Sequence, residues 1–252
     1  MEHQINPDLL RGPVKTLVVG AGGTGSHVLT GLVQLHHAMV SLGHPGGLDV
    51  TVMDFDTVSP ANIGRQMFFP CDIGKNKAQV LVNRINMAMG TIWEASSQQL
   101  QRPEDLSNYQ LVIGCVDNRK TRQIIASYRN WQPAYWLDMG NTRDSGQVIL
   151  GQIGKNKELP HVGDLFPSSI DPEAEGEDDT PSCSLAEALE KQSLFINRGM
   201  ALYGLNLLGD LFRYGKIDYH GVFVNMKNAR TSPLKIDPVA WERMGYLPAK
   251  KA

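Results

Sequence analysis

Apolar positions in the first half of the chain alternate between two rhythms. Residues 15–20, 111–116 and 135–139 are short apolar runs, residues 48–54 alternate apolar with polar, and residues 147–153 form a further apolar stretch. These lengths and patterns predict strands, with a weaker strand at 92–95. Between them, residues 26–40 place Val28, Leu29, Leu32, Val33 and Leu35 near helical spacing, and residues 77–89 do so with Ala78, Leu81, Val82 and Ile85. Both predict amphipathic helices, and a third is predicted at 121–128. Residues 41–47 carry three glycines and a proline and read as a loop. The strand–helix alternation predicts an α/β protein with a doubly wound, mostly parallel sheet.

The second half is less regular. Residues 171–179 hold six acidic side chains and read as a solvated loop. Residues 184–212 read as one long helical stretch, with Ser184 as N-cap and Glu187 completing a capping box. Residues 221–226 form a late strand, which predicts an antiparallel C-terminal extension. There is no internal repeat.

Composition narrows the function classes. The 252 residues are 42% hydrophobic and 20% charged, ordinary values for a globular chain with a sizeable core. A net charge of -2 gives no electrostatic reason for nucleic acid or membrane as the main partner. The first residues lack the apolar core of a signal peptide, and no apolar run is long enough to span a bilayer. Three cysteines, far apart and never in a CxxC pair, argue against disulfides and structural zinc and fit a reducing cytoplasm.

The chemistry starts at Gly20-Ala21-Gly22-Gly23-Thr24-Gly25-Ser26, directly after Leu17-Val18-Val19. A glycine-rich turn between a strand and a helix permits a tight bend at Gly20, a close backbone approach to a phosphate at Gly22 and close helix–sheet packing at Gly25. The helix N-terminus then offers free N–H groups and a favourable dipole to an anion. Asp54, at the end of the second strand, stands where a carboxylate can accept from a ribose. On these features alone NAD, FAD and ATP fit equally.

Further elements separate them. Asp54-Phe55-Asp56, Asn62, Arg65-Gln66, Asp72-Ile73-Gly74-Lys75-Asn76-Lys77 and Asp117-Asn118 through Arg122 follow the glycine turn in order. Together they resemble the ThiF/MoeB/HesA adenylating family, which also contains the ubiquitin-activating enzymes. The resemblance runs over residues 14–153. Within the family, Pro181-Ser182-Cys183-Ser184-Leu185-Ala186-Glu187 and the compact length look most like the ThiF-like proteins of PRTRC gene clusters.

The resemblance implies a single Rossmann-like ATP-binding domain over residues 1–252, with 154–183 as a crossover loop. It implies ATP-dependent, Mg²⁺-assisted adenylation of the C-terminal carboxylate of a small ubiquitin-like or sulfur-carrier protein, by a homodimer. By similarity, Gly20, Gly22, Gly23, Gly25, Asp54, Asp56, Asn62, Gln66 and Asn118 hold the nucleotide. Arg65 and Lys77 contact the phosphates, and Asp117 binds Mg²⁺. Cys183 has two readings, an inert small side chain or an acceptor of the activated acyl group. Four departures stand out: Ala61 before Asn62, Gly64 in place of a larger residue, the missing CxxC pairs, and a long 41–47 loop. In the family an N-terminal arginine often comes from the partner subunit; Arg11 is the one candidate here, and it lies very close to the first strand. Two rivals stay open: an NAD- or FAD-dependent oxidoreductase, which has no need of the Arg65, Lys77 and Asp117 set, and a nucleotide-binding scaffold without chemistry.

Overall fold

A computed structural model describes residues 1–174 and 185–247. In chain order the elements are β1 (His3–Gln4), β2 (Val14–Val19), α1 (Gly23–Ser41), β3 (Leu48–Met53), α2 (Lys77–Met89), β4 (Glu94–Ser96), β5 (Leu111–Gly114), α3 (Arg119–Ala126), β6 (Ala134–Asn141), β7 (Ser145–Ile153), α4 (Val162–Leu165), α5 (Leu185–Lys191), α6 (Ile196–Tyr214), β8 (Lys216–Ile217), β9 (Tyr219–Asn225), β10 (Arg230–Lys235) and α7 (Pro238–Arg243).

Eight strands form one sheet in the order β10-β9-β7-β6-β5-β2-β3-β4. The five from β6 to β4 are mutually parallel, and β7, β9 and β10 add on antiparallel. The expected doubly wound sheet with an antiparallel extension is therefore present. The chain leaves β2 toward β3 and β4, then returns to the other side of β2 with β5 and β6. Between β2 and β5 the direction of winding reverses, and open α/β sheets bind ligands in the crevice at that point.

Alternation along β6 and β7 separates the two faces. Leu137, Met139 and Val148 lie against Gly204 of α6, which itself packs along α1 through Gly31 and Leu205. Asp138 points to the opposite face and meets Arg122 of α3. The parallel strands are buried on both faces: β5 is buried throughout, and β2 except at Lys15.

Boundaries moved in several places. The first helix starts at Gly23, three residues before the predicted start, so the last glycines of the turn already lie in it. The long helix predicted at 184–212 is two helices, α5 and α6, broken at residues 192–195. The predicted N-cap Ser184 lies outside the described residues, as does Cys183. Within the stretch read as a crossover loop, α4 and a 3-10 turn, Pro167–Ile170, are formed. Strand β10 was missed because Pro233 interrupts its pattern. It sits at the sheet edge, where a proline is tolerated. No helix among the described residues is long and apolar enough to cross a membrane.

Candidate functional site at the sheet crevice

The glycine turn is held in shape from both sides. Gly20 has φ +93°, and a Cβ there would lie 2.8 Å from the Cys115 carbonyl oxygen. At Gly25 a Cβ would lie 2.0 Å from the Gly20 carbonyl oxygen, so helix and turn touch through bare backbone. Gly22 differs: a Cβ added there meets nothing within 4 Å. It is also the N-cap of α1, with no side chain capping the helix and no acidic residue in the first turn. The first N–H groups of α1 thus open into a cradle that suits an anion.

Asp54 braces this turn. Its Oδ2 accepts from Ala21 N at 2.6 Å and its Oδ1 from Asp56 N at 2.8 Å. Burial pushes its carboxyl above the ordinary value, against the pull of those two donors and of Lys77. Each oxygen keeps a lone pair for a ribose hydroxyl.

Lys77 is not the exposed helix lysine that its position at the start of α2 would allow. It is buried, and its Nζ lies 2.9 Å from Asp56 Oδ2. Asn76 caps α2 by accepting from Gln79 N, and its amide donates to the carbonyls of Asp54 and Asp56. The segment after β3 and the start of α2 are thereby tied into one unit.

Asn62 closes a capping box on the 3-10 turn Pro60–Asn62, accepting from Ser59 N at 2.8 Å. Its own backbone carbonyl accepts from Gln66 N at 3.0 Å. That turn delivers Arg65 and Gln66. Arg65 Nε and Gln66 Oε1 are both buried without a hydrogen-bond partner among the described residues. A donor and an acceptor left open on neighbouring residues near the glycine cradle are groups that await a ligand or water. Burial lowers the Arg65 pKa, and the charge of Asp117 opposes that shift.

Asp117 follows β5 and is exposed. Asn118, predicted at the nucleotide, caps α3 by accepting from Thr121 N at 2.8 Å, which is a structural role. No group of three metal-ligating side chains occurs among the described residues. Mg²⁺ is commonly held by one or two carboxylates together with phosphate oxygens and water, and one exposed carboxylate at the crevice fits that pattern.

Arg11 lies elsewhere. It precedes β2, whereas the glycine turn follows it, so the length of a strand, roughly 3.3 Å per residue, separates them. Its guanidinium pairs with Asp8 at 2.8 Å. Cys115, inside the strand predicted at 111–116, falls just past the end of β5, and burial pushes its thiol pKa up.

Beyond the sheet crevice, one face of the antiparallel strands carries an open groove of about 340 Å³. Its cross-strand rows are Ser145–Asn225–Arg230 and Gln147–Phe223–Ser232, with Thr142 at one end.

Residues 10–240 match the model of the ThiF family. The chain belongs to the ThiF family. Among curated relatives it is 28% identical over 161 residues to the adenylyltransferase and sulfurtransferase MOCS3 of Caenorhabditis briggsae, covering 62% of this chain and 37% of that protein. It is 34% identical over 190 residues to the NEDD8-activating enzyme E1 catalytic subunit of Dictyostelium discoideum, covering 68% of this chain and 39% of that one. The chain spans well under half the length of these two relatives. Among solved structures, PaaA superposes with a TM-score of 0.61 at 14% identity, covering 88% of this chain and 64% of PaaA. E. coli MccB, solved with ATP, superposes at 0.56 and 13% identity, with the same coverage. These likenesses show that the ThiF-family chain shares their fold.

Sequence reasoning missed two polar residues beside the cradle, Gln192 and Asn197, and gave no role to Thr24 within the glycine motif. Thr24 Oγ1 donates to Asn197 Oδ1 at 3.0 Å, and the Gln192 carbonyl oxygen accepts from both Asn197 and Arg65. No sequence spacing relates positions 192 and 197 to the glycine turn or to Arg65, so no motif could have found them.

Proposed function

We propose that this chain adenylates the C-terminal carboxylate of a small ubiquitin-like or sulfur-carrier protein, using ATP. The observation that carries the reading is the convergence, at one sheet crevice, of an open glycine cradle with Arg65, Lys77 and Asp117. A carboxylate oxygen of the carrier attacks the α-phosphorus of ATP, the bond to the bridging oxygen breaks, and pyrophosphate leaves. The acyl adenylate remains. Negative charge grows on the leaving group in this step, and preorganised cations and backbone donors lower its energy.

Each residue takes a part. The N–H groups at the start of α1 hold phosphate oxygens, and Gly22 leaves room for them. Lys77, shared with Asp56, and Arg65 face the developing charge. Asn62 orders the loop that carries Arg65, and Gln66 Oε1 stays open for a donor from the ligand or water. Asp54 accepts from the ribose. Asp117 would hold Mg²⁺, which when bound neutralises charge on the phosphates.

The groove beside Thr142 and Arg230 suits an extended carrier tail that enters the crevice along the antiparallel strands. The relatives' names support this substrate class: one is an adenylyltransferase and sulfurtransferase, one activates NEDD8, and MccB was solved with the peptide MccA. A homodimer, a cytoplasmic location and membership of the PRTRC subgroup belong to the same reading; light scattering tests the first.

An oxidoreductase needs a dinucleotide site but no cation set at the phosphates, so the buried Lys77 disfavours it. The decisive experiment is calorimetric titration with ATP and with NAD⁺, each with and without Mg²⁺, followed by ATP–pyrophosphate exchange with a candidate carrier. Mg²⁺-dependent ATP binding with exchange supports adenylation. NAD⁺ binding indifferent to Mg²⁺ overturns it.

A further inference from the structure

The break between α5 and α6 sits against the nucleotide cradle. Helix α5 packs on the turn Pro60–Asn62, and Ser193 N donates to the Arg143 carbonyl in the β6–β7 turn at 2.9 Å. At this joint one glutamine oxygen serves two donors: Gln192 Oε1 accepts from an Arg65 terminal nitrogen at 2.9 Å and from Asn197 Nδ2 at 3.1 Å. Asn197 is 4% exposed, and its Oδ1 accepts from Thr24 Oγ1 at 3.0 Å. A Cβ on Gly23 would lie 2.6 Å from Asn197 Nδ2, so the amide presses on the first residue of α1.

The hydrogen-bond senses interlock. The Gln192 carbonyl can take the guanidinium only with its oxygen toward Arg65, and Asn197 fixes that orientation by donating its NH₂ to the same oxygen. With its NH₂ turned to that oxygen, Asn197 presents its carbonyl to the Thr24 hydroxyl, which donates to it. The guanidinium is thus held by one terminal nitrogen, and its Nε is left without a partner.

We propose that Gln192 and Asn197 are positioning residues that orient Arg65 toward the nucleotide phosphates and couple it to the N-terminus of α1. Neither touches a phosphate; both act through Arg65. This inference rests on the proposed ATP site.

The test is a double-mutant cycle on Mg·ATP affinity by calorimetry, with wild type, Arg65→Ala, Gln192→Ala and the double variant, each melted to verify folding. Gln192→Ala should weaken ATP binding about tenfold when Arg65 is present, the scale of one hydrogen bond to a charged group. In the Arg65→Ala background it should change affinity less than twofold. A second cycle with Asn197→Ser, which shortens the amide without a large cavity, should show the same non-additivity at smaller amplitude. A purely structural role predicts lower melting temperatures with independent, additive losses in affinity. Additivity, or wild-type affinity in Gln192→Ala, overturns the proposal while leaving the ATP site standing. A wild-type protein that binds no ATP overturns the ATP reading, and the proposal falls with it.

Discussion

Arg122 Nε lies 2.9 Å from Asp138 Oδ1, on the sheet face that α3 covers, with both side chains buried. Burial pushes the Asp138 carboxyl up, and Arg122 opposes that shift. Arg122 also donates to the backbone carbonyl of Asp117 at 3.3 Å. The pair therefore ties the loop after β5 to β6. Replacing Asp138 with alanine leaves a buried cation without its partner, a change that costs about 3–5 kcal/mol in comparable buried pairs. For a chain of this size each kcal/mol is roughly 2–4 °C, so Asp138→Ala should melt about 6–20 °C lower. Guanidinium denaturation with an unchanged m-value would support this. A variant as stable as wild type would mean that the pair contributes nothing.

The glycine turn separates space needed for folding from space kept for a ligand. Gly25→Ala would put a methyl 2.0 Å from the Gly20 carbonyl oxygen, so the turn must distort, and a large loss of stability is expected. Gly22→Ala meets no protein atom, and its melting temperature should match wild type. ATP affinity should nevertheless fall by tenfold or more. Undiminished ATP binding in Gly22→Ala would place the phosphates elsewhere.

Lys77 is held by Asp56 at 2.9 Å, and that carboxylate is half exposed. Lys77→Met keeps the side-chain length and removes the charge. Loss of one preorganised donor at a developing charge lowers rate by about 10²–10³, and pyrophosphate exchange should fall on that scale. Asp56→Asn frees the ammonium group and should cost much less. Equal losses in the two variants would mean that the ion pair acts only in holding the start of α2.

Most of the architecture was legible because a parallel sheet writes itself plainly. Residues 111–114 are uniformly apolar because the strand is buried on both faces, and Gly20 to Gly25 follow β2 in the spacing that a tight turn demands. The edge was not legible. Strand β10 is exposed at all but one position and contains Pro233, so its pattern says loop while the ladder with β9 says strand. The break at 192–195 was hidden for a different reason: helical spacing continues on both sides of it. The site divides in the same way. Arg65, Lys77 and Asp117 sit in local motifs, whereas Gln192 and Asn197 reach the cradle only through tertiary folding.

The sequence leaves Cys183 two readings, an inert side chain or an acyl acceptor, and this residue lies outside the described ones. If it takes the acyl group from the adenylate, Cys183→Ser should keep pyrophosphate exchange and abolish any thiol-sensitive adduct with the carrier. Loss of exchange in this variant would assign the residue to structure instead.

Two buried histidines set the acid limit of stability. His220 Nε2 accepts from Trp241 Nε1 at 2.9 Å, which requires that nitrogen to be unprotonated, and Nδ1 then donates to the Leu150 carbonyl at 2.9 Å. His161 Nδ1 accepts from Gly163 N at 3.1 Å. Burial is the main cause that lowers each ring from 6.5 to about 4. The unfolded chain therefore binds protons at pH values where the folded rings stay neutral. Stability is fully present above pH 6.5 and falls as pH drops toward 4, by up to about 1.4 kcal/mol per pH unit for each histidine. His3 and His27 are lowered by burial as well and add to the fall with the same sign. Urea unfolding at pH 7.5, 6 and 5 reads this directly. His220→Gln keeps an acceptor for Trp241 and cannot titrate, so its stability curve should be shallower by about one proton. Equal stability of the wild type across that range would show that both rings take up protons in the fold as readily as in the unfolded chain.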